Sequence, residues 1–175
     1  ALHSAGIVHA DVKPANVMLK RTGDVKLVDL GSAFLMADPP RYPSCTPAYA
    51  APEVLKSQTW SPRADLAGLG YMLVEMLSGV PMSAGAGDYQ ALWEAKMSLP
   101  DRLPDVLPPD VARNELLLGF CRRLIAVDPE ARFVTAEEAD LAQGGAAGFQ
   151  RQLVKGDLAS EYYSDIRRWL QDLGD

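Results

Sequence analysis

Asp11, Lys13 and Asn16 fall within one short segment, His9-Ala10-Asp11-Val12-Lys13-Pro14-Ala15-Asn16, and Asp29 opens a second, Asp29-Leu30-Gly31. An acid, a cation, an amide and a second acid at this spacing suit phosphoryl transfer. That reaction asks little covalent work of a protein: charge must be neutralised and a hydroxyl held in line. Asp11 can orient the incoming hydroxyl and accept its proton. Lys13 can bring its ammonium to the transferring phosphate. Asn16 offers an amide oxygen and Asp29 a carboxylate, the hard oxygen donors that suit Mg2+. Gly31 lets the chain turn sharply away. Any one of these alone reads as an ordinary polar loop residue; the joint pattern does not.

Elements on either side must hold these segments. Ile7-Val8 is an extended lead-in. Val17-Met18-Leu19 and Val25-Lys26-Leu27-Val28 flank the turn-like Arg21-Thr22-Gly23-Asp24 and predict a hairpin. Prolines at 39, 40, 43, 47 and 52 predict a stiff, irregular loop over 37–52. Asp65–Ser78 has no charged residue besides Asp65 and Glu75, so it reads as a helix buried nearly all round. Gly79 stops it and Pro81 prevents a restart. A helix is predicted over Tyr89–Met97, a loop over 98–110 on its four prolines, and a helix over Val111–Val127 whose apolar face carries Leu116, Leu117, Phe120, Leu124 and Val127. Thr135-Ala136-Glu137-Glu138 reads as a capping box. Gly144-Gly145-Ala146-Ala147-Gly148 reads as a flexible break. Beyond it, Leu158, Tyr162, Ile166, Trp169, Leu170 and Leu173 predict an amphipathic helix.

Composition narrows the function classes. The 175 residues are 48% hydrophobic and 23% charged, with a net charge of -6, as expected of a soluble globular protein. No basic stripe is visible, which sets nucleic-acid binding aside. Cys45 and Cys121 lack metal-ligand spacing and read as free thiols in a reducing compartment. The longest apolar run, Leu66–Val74, is far short of the ~20 residues of a membrane span. There is no signal-peptide pattern, so a cytoplasmic location is expected, with any membrane anchor lying outside this chain. The opening Ala1-Leu2-His3-Ser4-Ala5-Gly6 reads as the last turn of a helix, which suggests a fragment cut within that helix.

With these residues in view, the chain resembles the large, C-terminal lobe of a eukaryotic-like protein kinase of the bacterial type. His9-Ala10-Asp11 to Asn16 matches the catalytic loop, and Asp29-Leu30-Gly31 matches the family's Asp-Phe-Gly. Thr46-Pro47-Ala48-Tyr49-Ala50-Ala51-Pro52-Glu53 matches the end of the activation segment. Ser61-Pro62-Arg63-Ala64-Asp65 with Gly70 matches the start of the central buried helix, and Asp128-Pro129-Glu130-Ala131-Arg132 the late Asp-Pro-x-x-Arg. Five motifs in order cover residues 1–141. The resemblance implies a mainly α (α+β) fold: a helical bundle around a central buried helix, with a small β-hairpin carrying the catalytic and metal-binding loops. It implies a partial kinase domain over 1–141 and a C-terminal extension over 142–175.

The resemblance also implies roles. Asp11 is the base, Lys13 the phosphate-contacting lysine, and Asn16 and Asp29 the ligands of Mg2+ or Mn2+ with ATP. Thr46 sits near Asp11 and Lys13. Glu53 and Arg132 form a buried ion pair, Asp65 holds the catalytic loop through its amides, and His9 packs beneath it. Lys13 and Thr46 are similar to Ser/Thr-directed kinases, so the implied partner is a protein substrate with Ser or Thr hydroxyls. Thr46 and Ser44 are alternative phosphosites. The Gly-rich loop and strand lysine of the small N-terminal lobe do not occur in this chain, so that lobe is a further implied partner, and the isolated chain is expected to be inactive.

Three departures stand out. Ala10 replaces the arginine that grips a phosphorylated activation loop in many relatives. Leu30 replaces Phe and is expected to pack. Ala67 replaces a common tryptophan, with Trp60 or Trp93 as candidates to fill the space. Two other function classes are consistent with the scaffold: a kinase-like protein that acts by binding, and a small-molecule phosphotransferase. Retention of Asp11, Lys13, Asn16 and Asp29 argues against the first. The Ala-Pro-Glu segment with Arg132 argues against the second.

Overall fold

A computed structural model describes residues 1–20, 22, 24–41, 43–56, 60–155 and 168–170. Two small antiparallel ladders hold the N-terminal part. Strands β1 (Ile7–Val8) and β4 (Phe34–Leu35) pair with Ile7 opposite Leu35 and Val8 opposite Phe34. Between them lies the hairpin of β2 (Val17–Leu19) and β3 (Val25–Leu27), with Met18 opposite Lys26. The hairpin is the predicted one; Arg21 and Gly23 of its turn lie outside the described residues. β4 was not legible, because a two-residue strand has no periodicity to read. Its pairing matters: β1 delivers the chain to His9, and β4 receives it after Gly31. One ladder therefore brings both chemical segments to the same end of the molecule.

Helix α1 (Pro52–Leu55) closes the proline-rich loop. Helix α2 (Pro62–Ser78) is the predicted buried helix, beginning three residues earlier than Asp65. Extended Ser61 followed by Pro62 at the first helical position explains the early start, since proline's φ is preset for helix and its missing N–H is not needed there. Gly79, at φ 70°, ends it. Ala64 to Gly68 are all buried, as are Gly70, Tyr71, Met72 and Val74. Ala67 is fully buried, and Trp60 and Trp93 both pack against the core.

Two glycines let other segments approach α2. A Cβ on Gly68 would lie 3.1 Å from Val12 O and 3.3 Å from Tyr49 O, so the chemical loop and the proline-rich segment both lie on this position. A Cβ on Gly70 would lie 2.6 Å from Ile125 Cγ2 and 2.7 Å from Leu124 Cβ. Gly70→Ala is therefore expected to destabilise the protein by about 1–2 kcal/mol, overpacking outweighing the gain in helix propensity. A shift of the urea midpoint measures it, and an unchanged or raised midpoint refutes the close-approach account.

Helix α3 (Tyr89–Val106) corrects the predicted loop over 98–110. It runs through Pro100 and Pro104. Pro104 cannot donate to the carbonyl of Pro100, but Arg122 Nε takes that carbonyl instead, at 3.3 Å. Buried Leu103 and Leu107 draw the segment onto the core. Helix α4 (Pro109–Ala112) is a single turn, and α5 (Glu115–Leu124) begins later than the predicted Val111, because Asn114 caps it by accepting from Leu117 N. Its buried face is Leu117, Leu118, Cys121 and Leu124, while Leu116 is exposed.

Thr135 caps α6 (Ala136–Leu141) by accepting from Glu138 N, as predicted. The glycine-rich break is instead a tight turn into α7 (Ala146–Lys155), which packs on α5 and α6 with Phe149 against the core. A Cβ on Gly145 would stand 2.6 Å from Ala139 O and 2.8 Å from Asp140 O, so this glycine is required by close approach. The amphipathic helix predicted over 158–173 lies outside the described residues apart from 168–170. Cys45 and Cys121 are free thiols. No helix among the described residues is long and apolar enough to cross a membrane.

Candidate active site

The site is suspended from the first turn of α2. Asp65 is buried, and its Oδ1 accepts from Ala10 N at 2.9 Å while Oδ2 accepts from His9 N at 2.8 Å. His3 Nε2 lies 2.9 Å from the same Oδ2. Two successive amides reach one carboxylate because Ala10 takes φ 67°, the left-handed region. That conformation costs a non-glycine residue about 1–2 kcal/mol, which the charge-assisted bonds offset. His9 is fully buried: its Nδ1 faces Asp11 N at 3.3 Å and its Nε2 faces Val28 O at 3.2 Å. An amide can only donate and a carbonyl only accept, so the ring carries its proton on Nε2 and links the two chemical segments from below.

Above this support four of the predicted residues converge. Lys13 Nζ lies 2.7 Å from Asp11 Oδ2 and donates to Thr46 Oγ1 at 2.8 Å. Thr46 N donates to Asp11 Oδ1 at 2.9 Å. Asn16 is buried, and its Nδ2 donates to Asp11 O at 2.8 Å and Asp11 Oδ2 at 3.2 Å. Burial pushes the Asp11 carboxyl up, but hydrogen bonds from Lys13 and Thr46, with the Lys13 charge, outweigh it and hold the group below its ordinary range. Asp11 is a carboxylate at neutral pH, oriented through both oxygens.

Asp29 is tied in through the backbone. Val28 N donates to Asn16 O at 2.9 Å, which sets residue 29 beside the Asn16 segment. Asp29 takes φ 60°, is exposed, and accepts from Gly31 N at 3.1 Å. Its carboxylate makes no hydrogen bond with Asp11, Lys13 or Asn16. Leu30 is 55% exposed, so the expected packing of this side chain does not occur: the left-handed turn at Asp29 directs the segment outward. Asn16 Oδ1 and the Asp29 carboxylate are hard oxygen donors, few in number. That set fits Mg2+, which takes one or two protein ligands and completes its shell with phosphate and water. Among the described residues no group of three His, Cys, Asp or Glu side chains could hold a metal by itself.

The segment Thr46–Glu53 is braced at its far end. Arg132 and Glu53 form a buried bidentate pair, Nη1 to Oε1 at 2.7 Å and Nη2 to Oε2 at 2.8 Å. Arg132 also donates to the carbonyls of Ala126 (2.7 Å), Arg63 (3.2 Å) and Val127 (3.4 Å), so all five guanidinium protons are used. Two contacts were missed from the sequence. Tyr49 OH donates to Glu75 at 3.0 Å, and Lys96, buried on α3, donates to Ala48 O at 2.7 Å. The available signal for Lys96 was its place four residues after Leu92, on the face that Leu103 continues: a lysine where the helical period calls for an apolar residue.

A family profile described as protein kinase domain matches residues 1–141. The chain is 37% identical over 126 residues to mouse (Mus musculus) cAMP-dependent protein kinase catalytic subunit PRKX, covering 70% of this chain and 35% of that protein. It is 33% identical over 139 residues to mouse serine/threonine-protein kinase PAK 4, covering 78% and 23%. It is 34% identical over 151 residues to serine/threonine-protein kinase PknB of Mycolicibacterium smegmatis, covering 79% and 23%. The chain thus spans about a third or less of the length of these relatives.

Proposed function

The chain belongs to the protein kinase family, and from that premise we propose that the protein is a Ser/Thr protein kinase using ATP and Mg2+ or Mn2+. The observation that carries this is the closed ring of Asp11, Lys13 and Thr46, with Asn16 bonded to Asp11 from the side. Asp11 orients a substrate hydroxyl and accepts its proton at a carboxylate oxygen. Lys13, 2.7 Å away, supplies positive charge to the phosphoryl group as negative charge develops there. Thr46 keeps both groups in register. Asn16 and Asp29 would hold the metal, whose charge would neutralise that of the phosphates. His9 and Asp65 keep the loop in place, and the Glu53–Arg132 pair anchors the peptide-binding segment.

Residues 1–141 supply the large lobe in this proposal, and 142–175 a C-terminal extension whose first helix, α7, packs on that lobe. The roof of the nucleotide site comes from a small lobe outside this chain. Ala10 has no side chain that binds phosphate, so activity does not wait on a phosphate gripped there. Incubating the full-length protein with radiolabelled ATP and Mg2+ is expected to label Ser or Thr of a protein acceptor. Asp29→Asn lowers that incorporation about a hundredfold or more by weakening the metal site, and residues 1–175 alone give none. Labelling of tyrosine only, or full activity of Asp29→Asn, defeats the proposal; robust activity of the isolated chain defeats the need for a second lobe.

A further inference from the structure

We propose that Lys96 is a positioning residue for the peptide substrate, acting through the Thr46–Ala50 turn; this rests on the kinase reading above. A buried ammonium is costly unless something repays its lost hydration. Lys96 is 2% exposed and, among the described residues, has no carboxylate partner. Its Nζ is held between the Ala48 carbonyl, at 2.7 Å, and the face of the Tyr71 ring, 3.4 Å from the centroid. An apolar residue there would pack more cheaply but leave the Ala48 carbonyl without its donor.

Ala48 lies inside a tight turn in which Tyr49 N and Ala50 N both donate to Thr46 O, at 3.0 and 3.1 Å. Thr46 begins that turn and bonds both Asp11 and Lys13. The turn is thus tethered at Thr46 by the reactive pair, at Ala48 by Lys96 of α3, and at Tyr49 by Glu75 of α2. Lys96 sets the height of the turn against α3, and with it the surface on which a peptide beside Asp11 must lie.

The groups around Lys96 make the tether sensitive to pH. Burial lowers the ammonium to about 7; Cys45 opposes the fall and Arg132 adds to it. Burial raises the Cys45 thiol and Asp11 raises it further, while the Lys96 charge lowers it. Burial keeps the Tyr71 phenol protonated far above neutrality, and Glu53 is committed to Arg132. The tether is a charge-assisted bond at pH values below about 7 and a weaker neutral amine bond above.

The test uses the full-length protein and a Ser-containing peptide selected as substrate from a degenerate library. KM for peptide and for ATP are measured from about pH 6 to about pH 8.5 for wild type, Lys96→Met and Lys96→Arg, with melting curves for each. Lys96→Met is expected to raise the peptide KM about tenfold at pH 6 without moving the ATP KM. The wild-type peptide KM rises several-fold as pH passes about 7, and Lys96→Arg, charged throughout, removes that rise. If Asp11→Asn retains activity, the kinase reading fails whatever Lys96 does. If Asp11→Asn is inactive and Lys96→Met keeps the wild-type peptide KM, or raises the ATP KM equally, the Lys96 inference is overturned and the kinase reading stands. If Lys96→Met does not fold, the wild type decides: a flat peptide KM across the range overturns the inference.

Discussion

Asp11→Asn is expected to lower kcat of the full-length protein by about 10²–10⁴-fold, the span of a general-base contribution, with the KM for ATP changed by less than about twofold. The substitution is nearly isosteric. Its Oδ1 can still accept from Thr46 N, which donates to it at 2.9 Å in the native protein, so the Thr46 turn keeps one of its anchors. What disappears is the charge that faces Lys13 at 2.7 Å and the basic oxygen that the proposed reaction requires. The pH dependence has a definite sign. Lys13 and Thr46 depress the Asp11 carboxyl against the opposing effect of burial, so the base remains ionised throughout the neutral range and is lost only as pH falls through that depressed value. The ion pair follows the same window: its contribution to stability is present above the ordinary carboxylate range and lost in acid. Steady-state kinetics on wild type and variant measure the effect, and an unchanged kcat removes Asp11 from the base role.

Arg132→Met is expected to destabilise the protein by about 3–5 kcal/mol, the cost of leaving one partner of a buried ion pair uncompensated. Glu53, only 8% exposed, would keep a carboxylate with its bidentate partner gone. The carbonyls of Ala126, Arg63 and Val127 would lose a donor as well, which extends the damage to the start of α2 and the end of α5. The double variant Arg132→Met with Glu53→Leu should lose less than the sum of the single losses, because removing both charges takes away the unpaired one. Chemical denaturation of the four proteins of this cycle measures the coupling; additive losses would show that the pair is not a unit. Activity should fall with stability in the single variants, since Glu53 is the far anchor of the segment that carries Thr46.

The site was legible in the sequence to the extent that its chemistry depends on residue type at short range. Asp11, Lys13 and Asn16 share one loop, and the structure brings them together with Thr46. The β2–β3 hairpin was legible because alternation over a few residues is a local signal. The proline count over 98–110 misled for a physical reason. Proline forbids one helical bond, but Arg122 supplies a donor from another helix, and burial of Leu103 outweighs the local cost. Gly145 misled in the same way: composition reads glycine as freedom, whereas here it marks the close approach of α6.

By itself the sequence determined the order of the motifs and the central buried helix, and its resemblance to the family implied the site residues and the pairing of Glu53 with Arg132 across a long separation. Each follows from residue type, from helical or strand period, or from motif resemblance. The resemblance already implied that Asp65 holds the loop through its amides; only the tertiary structure decided that these are the successive amides of His9 and Ala10, with Ala10 in the left-handed region, and that His9 joins the Asp11 and Asp29 segments through both ring nitrogens. It alone placed a buried lysine beneath the Thr46 turn. Apart from the contact of His9 with Asp11 N, these are long-range pairings of backbone groups with single side chains. No local period encodes them, because the partner is chosen by what the packed core leaves unsatisfied.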